Sequence, residues 1–278
     1  MPLVQLTDLT ADRRLEPYRA LKQTNDTARR GLFIAEGDKL VARLLGSGLK
    51  VESVLVGASF VERFTETCGV MLPERQPTFV VADEALRELV GYEFHRGVLA
   101  CGVRPVLPSL AELVAGATKV SERISERVRP TLVVCPDVQD PENLGSIVRI
   151  AAGFGAAGIL LGPRTADPFS RRVQRVSMGN VYQLPIAQQD DIAAALAELR
   201  ATHGFESWGT VLDADAETLG TRARPERLAL VFGSEGHGIP TDVAAACDRK
   251  VIVPMRPGVD SLNVAVAAGI FLYELTKK

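Results

Sequence analysis

Three short loops hold the residues of this chain whose types and spacing can do chemistry. The first is PDVQDPENLGSIVR, residues 136–149, directly after the apolar run TLVVCP. Asn143 is placed there to cap a helix, and Gly145 lets another group approach closely. Arg149 follows about a turn and a half further on, a fixed cation on the same helix. The second loop, FGSEGHGIP, follows the run LALVF. Its three glycines permit unusual backbone angles and expose amide groups around the carboxylate of Glu235. The third, VPMRPGVDSLNVAVA, leaves a strand at Met255 and turns, and Asp260 or Ser261 is expected to start the last helix. Ser261 and Asn263 then lie at that helix N-terminus beside free backbone donors. Taken singly, each loop reads equally well as a cap, a surface charge or a turn. In series, each follows a strand, and ligands of open α/β sheets gather beyond the carboxyl ends of the strands.

Apolar runs of strand length alternate with helical patterns along nearly the whole chain, which gives an α/β fold. Residues 12–30 read as a polar helix. GLFIAEG, VESVLVGA, TFVVA and GVLACGV then read as strands, separated by the helices DKLVARLLGSG, SFVERFTETCG and DEALRELVG. VRPVLPSL breaks the pattern with two prolines, and a polar helical stretch follows; a linker is expected at 105–129. It separates a smaller N-terminal α/β domain, 1–104, from a second domain, 130–278. In that second domain TLVVCP, GILLGP, VYQLPIA, SWGTVLD, LALVFG and KVIVPM are expected strands, and their unbroken apolar character fits a buried parallel sheet.

The net charge of −2 excludes a histone-like polycation. Basic residues still cluster locally, in Arg13, Arg14, Arg19, Lys22, Arg29 and Arg30, and again in Arg164, Arg171, Arg172 and Arg175. Such clusters suit phosphate contacts or a solvated helix face. Cys68, Cys101, Cys135 and Cys247 are far apart and have no histidine cluster nearby, which argues against a zinc site or a disulfide framework and for reduced, mostly buried thiols. No apolar run is long enough to span a bilayer and the start lacks a secretory h-region, so a cytoplasmic protein is expected. Gly153–Gly158 spells G-x-G-x-x-G. A dinucleotide fingerprint must follow a strand and open a helix, whereas these glycines close one helix and open a strand, so a helix cap and tight turn is the simpler reading.

The three loops together resemble the three motifs of the SpoU/TrmH RNA ribose methyltransferases, a branch of the SPOUT class, over about residues 130–277. The motifs stand here as DPENLGSIVR, FGSEGHGI and VPMRPGVDSLNVAVA, with Val253 where the family often has isoleucine. The N-terminal half, through FIAEGDKLVARLLGSG and HRGVLA, resembles more loosely the small substrate-binding domain of rRNA-modifying members. The resemblance implies a parallel-sheet SPOUT domain with a trefoil knot, a homodimer, S-adenosylmethionine as methyl donor and RNA, favouring rRNA over tRNA, as substrate. It implies cofactor contacts at Gly233, Val253 and Leu262, and catalytic positions at Asn143, Arg149, Glu235, Ser261 and Asn263. Arg29, Arg30, Arg171 and Arg172 are the expected RNA contacts, and no metal is required.

Such a transfer needs the ribose oxygen aligned with the methyl carbon and the hydroxyl proton removed. A guanidinium stays protonated in proteins, so Arg149 suits a phosphate clamp and Glu235 is the easier base, unless it orients Asn143 or the cofactor. Two other functions remain open: an RNA-binding protein that kept the fold without catalysis, and a nucleotide-dependent enzyme built on the 153–158 glycines.

Overall fold

The computed structural model describes residues 3–6, 12–19, 21, 27–73, 76–123, 129–213, 215–256 and 261–277. By packing, the chain divides into two units: Met1–Val106 with Phe169–Gln183, and Leu107–Pro168 with Leu184–Lys278.

The first unit holds a five-stranded sheet of β1 (Leu3–Gln5), β2 (Leu32–Glu36), β3 (Val51–Gly57), β4 (Thr78–Val81) and β5 (Val98–Val103). Its order is β1-β4-β3-β5-β2. β1, β4 and β3 run parallel, while β5 runs antiparallel to β3 and β2. Helices α1 (Asp38–Leu45), α2 (Val61–Cys68) and α3 (Asp83–Val90) alternate with the strands as their apolar spacing predicts. Among the described residues, the helix expected over 12–30 does not form as such. Arg13–Tyr18 is a 3-10 helix that contains Pro17, Arg19 is already extended, and Thr27–Gly31 is a turn. Pro17 disfavours helical backbone at the residue before it, which favours a short, tight element. Tyr18 anchors this segment: its buried hydroxyl donates to the Ser53 carbonyl at 2.9 Å.

The second unit contains α4 (Leu110–Arg123), β6 (Thr131–Cys135), α5 (Pro141–Gly153) and β7 (Gly158–Leu161). After β7 the chain forms α6 (Arg171–Val176), which packs in the first unit, and then returns with β8 (Ile186–Gln188) and α7 (Ile192–His203). β9 (Glu206–Thr210), β10 (Glu217–Thr218), β11 (Leu228–Val231), α8 (Thr241–Ala246), β12 (Arg249–Ile252) and α9 (Val264–Thr276) complete it. The seven strands lie in the order β10-β12-β9-β11-β6-β7-β8, every neighbouring pair parallel. β10 and α8 are too short to show periodicity, and no sequence pattern announces them. VYQLPIA, read as one strand, becomes a 3-10 turn at Asn180–Tyr182 and a strand only from Ile186. The stretch read as a linker carries α4, whose Leu110, Leu113 and Val114 lie in the core of this unit. The Gly153–Gly158 stretch ends α5, passes through Gly155 at φ 70° and enters β7, as a helix-to-strand turn should.

Within the first unit, the Phe169–Gln183 segment is tied to β2. Phe33 packs on Phe169 and Tyr182, with ring centroids 5.2 and 5.8 Å apart. Buried Gln174 donates to the Phe169 carbonyl at 2.6 Å and accepts from the Tyr182 hydroxyl at 2.6 Å.

Candidate functional site

All three loops lie at the carboxyl ends of parallel strands of the seven-stranded sheet: β6 leads to the first, its neighbour β11 to the second, and β12, one strand beyond with β9 between, to the third. Asp140, not Asn143, caps α5; its carboxylate accepts from the Glu142 amide at 2.7 Å, and Pro141 occupies the first turn. Asn143 sits one turn inside, buried beside Leu144, Ile147, Val148 and Ala151 on the core face. Its amide donates to Asp140 Oδ2 at 3.4 Å, and its Oδ1 accepts from Asn263 Nδ2 at 2.8 Å. α9 starts later than expected, at Val264. Asn263 is its cap, with Oδ1 accepting from the Ala265 and Val266 amides at 2.9 and 3.2 Å. Asp260, the other expected start, lies outside the described residues.

The glycine loop after β11 closes on itself. The Ser234 amide donates to the Gly238 carbonyl at 3.0 Å, and the Gly238 amide donates back at 2.9 Å. Gly238 takes φ 67°, in the left-handed region that favours glycine. Gly233 lies against the backbone of Gly238 and Ile239, where a Cβ would collide. Glu235, Gly236 and His237 form the exposed tip.

This loop forms one wall of a cavity of about 380 Å³. Gly233 from the second loop and Val253 and Leu262 from the two ends of the third line it together with Glu235 and Ser261. Val211, Leu212, Ile239 and Phe271 make the wall largely apolar, while Thr210, Ser234 and Ser261 offer hydroxyls. Glu235 and His237 are the only ionisable side chains on it among the described residues. The size, the apolar lining and the few polar groups suit a small organic ligand. Gly233 adds a close backbone approach that leaves no room for a side chain. Such a cavity fits an adenosine-and-sulfonium molecule held by backbone groups and apolar walls.

Asn143, Arg149 and Asn263 do not line the cavity. Arg149 is exposed on α5, and its side chain has no ion pair or hydrogen bond among the described residues. Glu235 does not orient Asn143; Asp140 and Asn263 hold that side chain instead. Sequence reading missed Asp140 as the cap and Thr210, Met255 and Phe271 as wall residues. Asp-Pro ahead of a periodic run was an available cap signal; the wall residues have none, because they come together only in the fold.

Arg29 and Arg30 are exposed in the Thr27–Gly31 turn, and Arg172 is exposed on α6. Arg171 has a different environment from the one expected of a phosphate contact. Its guanidinium donates to Glu36 at 2.5 Å and to the Tyr92 hydroxyl at 3.2 Å, lies over the Tyr92 ring, and bonds the Leu21 carbonyl. Arg164 pairs with Asp137 at 2.8 Å. Burial pushes the Cys135 thiol up to about 12 and the Cys68 thiol up to about 11, so both stay protonated near neutrality. Among the described residues no group of three or more His, Cys, Asp or Glu could hold a metal ion, and no helix is long and apolar enough to cross a membrane.

Residues 130–273 match the model of the SpoU rRNA Methylase family. The chain is 33% identical over 273 residues to an uncharacterized tRNA/rRNA methyltransferase of Mycobacterium tuberculosis, covering 96% of this chain and 89% of the relative. It is 29% identical over 195 residues to a 23S rRNA (guanosine-2'-O-)-methyltransferase of Acinetobacter baylyi, covering 70% of this chain and 76% of that one. A crystal structure of an AdoMet-bound rRNA methyltransferase from Sinorhizobium meliloti superposes with a TM-score of 0.78 at 26% identity, over 98% of this chain and 97% of that one.

Proposed function

The chain belongs to the SpoU rRNA methylase family, and from that premise we propose that it transfers a methyl group from S-adenosylmethionine to a ribose 2′-hydroxyl of RNA, with rRNA as the substrate class. The observation that carries the reading is the single cavity into which Gly233, Val253 and Leu262 converge with Glu235 and Ser261. A relative named as a guanosine-2'-O-methyltransferase and a structural neighbour named as an AdoMet-bound rRNA methyltransferase support it.

When bound, S-adenosylmethionine supplies an electrophilic methyl carbon on a sulfonium, so the leaving group arrives with the donor. Gly233, Val253 and Leu262 would hold it, with the 233–238 amides and the apolar wall excluding water. The chain must then fix the ribose and take its proton. Glu235, on the cavity wall, would take the 2′-hydroxyl proton and pass it to water. Arg149, exposed and unpaired among the described residues, would clamp the adjacent phosphate and stabilise developing negative charge. Ser261, on the wall, would position the ribose.

Arg29, Arg30 and Arg172 are exposed on the first unit and are placed here as phosphate contacts. Arg171 is instead held by Glu36. A homodimer is supported by apolar side chains left exposed on α9 and its neighbour α5: Val266, Tyr273 and Phe154. The trefoil knot implied by the family would involve the closing segments around β11, β12 and α9; β9 lies between β11 and β12 in the sheet.

The test is to map ribose methylation in total RNA from cells with and without the gene. One 2′-O-methyl site lost from rRNA is the expected result. A site lost from tRNA would redirect the substrate assignment. An unchanged map would favour an RNA-binding protein without catalysis.

A further inference from the structure

Asn143 and Asn263 stand at catalytic positions by family resemblance, yet neither lines the cavity. What the structure shows is that their amides are committed to each other and to the two helix ends. Asn263 Oδ1 faces two backbone donors, so Nδ2 must point away, toward Asn143. Asn143 therefore presents its oxygen there, and its own Nδ2 faces the Asp140 carboxylate, which when ionised can only accept. Both ends impose the same orientation on the middle amide. Ser261 and Leu262 immediately before Asn263, and Val264 immediately after it, all line the cavity.

We propose that Asp140 is a positioning residue for the cofactor site, acting through Asn143 and Asn263 as a hydrogen-bonded relay that fixes the Ser261–Val264 wall. Asp140 touches no ligand. Its carboxylate sets the direction of the Asn143 amide, the Asn143 oxygen holds Asn263, and Asn263 holds the wall segment to the first turn of α9. This rests on the reading of the cavity as the S-adenosylmethionine site.

The relay has a direction, so it can be broken and restored by single-atom changes that keep the helix caps. Asn263→Asp still caps α9, because Asp and Asn cap about equally well. It sets a carboxylate against the Asn143 oxygen, and Asn143 cannot turn over without placing that oxygen against Asp140. Adding Asp140→Asn lets Asn143 turn, donating to position 263 and accepting from position 140. Asn143→Asp supplies a second route on α5: it places like charges at 140 and 143, and the same Asp140→Asn change relieves them.

Binding of S-adenosylhomocysteine, read by calorimetry beside thermal melting, tests this. Asn263→Asp and Asn143→Asp are each expected to weaken binding roughly 10-fold, as when a buried hydrogen bond is replaced by an unsatisfied pair. Asp140→Asn alone keeps the α5 cap but no longer fixes the Asn143 amide direction, so it should weaken binding by less than either of those variants. Either double variant should recover most of the affinity, together with the modest loss of melting temperature that each single variant shows. A merely capping Asp140 predicts no rescue of Asn263→Asp, whereas relief of like charges alone would still rescue Asn143→Asp, so the Asn263→Asp pair decides. Full affinity in both single variants, or double variants no better than the singles, overturns the proposal. Wild-type protein that binds neither S-adenosylhomocysteine nor S-adenosylmethionine removes the cavity assignment itself, and the relay with it.

Discussion

Gly233→Ala puts one methyl group where the structure has backbone. An ideal Cβ at 233 meets the Gly238 carbonyl carbon and oxygen and the Ile239 amide nitrogen. The overlap is more than roughly 1 Å inside the ~3.5 Å at which carbon atoms rest in contact. No flexible side chain can swing away, so the 238–239 backbone must move. That movement strains the two hydrogen bonds between Ser234 and Gly238, at 3.0 and 2.9 Å, which close the loop. Each is worth about 1 kcal/mol, and inserting bulk into a packed site costs about 1–3 kcal/mol. The loop carries one wall of the cavity, so most of this should appear in ligand binding. With the two bonds strained to about half their worth, a total of about 2–4 kcal/mol corresponds to an affinity loss of roughly 30- to 1,000-fold, at about 1.4 kcal/mol per factor of ten. Gly236→Ala is the internal control, because a Cβ there meets nothing within 4 Å. Calorimetry with S-adenosylhomocysteine should show binding lost in the first variant and kept in the second. Wild-type affinity and melting in Gly233→Ala would refute the claim that this close approach shapes the site.

Three further outcomes are expected. Arg149→Ala should slow single-turnover methyl transfer on the order of 100–1,000-fold with cofactor affinity unchanged, since Arg149 lies off the cavity wall; Arg149→Lys should rescue only partly, because it lacks the planar fork. Asp248 should support stability above the carboxylate range: burial raises its pKa, but donation from the Ser207 amide and hydroxyl and from Arg200 outweighs this and lowers it overall. That contribution is lost as pH falls from about 5 through the unfolded value near 3.9 and then through the lower folded value, so melting temperatures across this range should fall more steeply for wild type than for Asp248→Asn. Residues 130–278 alone should melt lower or aggregate, because Phe169, Val173 and Tyr182 lose the packing partners that the rest of the first unit provides; a well-behaved fragment with wild-type melting would contradict this.

Local signals reached far in this chain where elements were long and periodic. α1, α3, α5 and α7 carry a polar or glycine boundary and a repeating apolar face, so their existence follows from sequence alone. The 12–30 stretch has helical composition, yet Pro17 and the burial of Leu15 and Tyr18 make Arg13–Tyr18 a short tight element. The start of α9 was misplaced because Asp260, Ser261 and Asn263 are all good capping residues, and only the Asn143 contact selects Asn263. The cavity was legible through its glycine loop and through family resemblance. Thr210, Met255 and Phe271 were not, because nothing in their local sequence tells which strand end will face which.

The arginines show the same limit in a form that bears on function. Arg171 and Arg172 fall inside the half of the sequence that carries the motifs, and their spacing gives them one joint reading as cations. The fold separates them. The chain leaves the second unit after Pro168 and returns at Leu184, so both arginines belong to the first unit along with Arg29 and Arg30. Glu36 is buried and needs a partner; Arg171 supplies it, with the Tyr92 ring beneath the guanidinium. Removing one member of such a pair leaves a buried charge uncompensated, which is far more destabilising than loss of an exposed cation. Arg171→Ala should therefore lower the melting temperature, with any loss of RNA affinity following from that, whereas Arg29→Ala with Arg30→Ala should weaken RNA binding and reduce its salt dependence with a smaller change in melting than Arg171→Ala. Arg171→Ala with wild-type melting and a reduced salt slope would return Arg171 to the RNA surface.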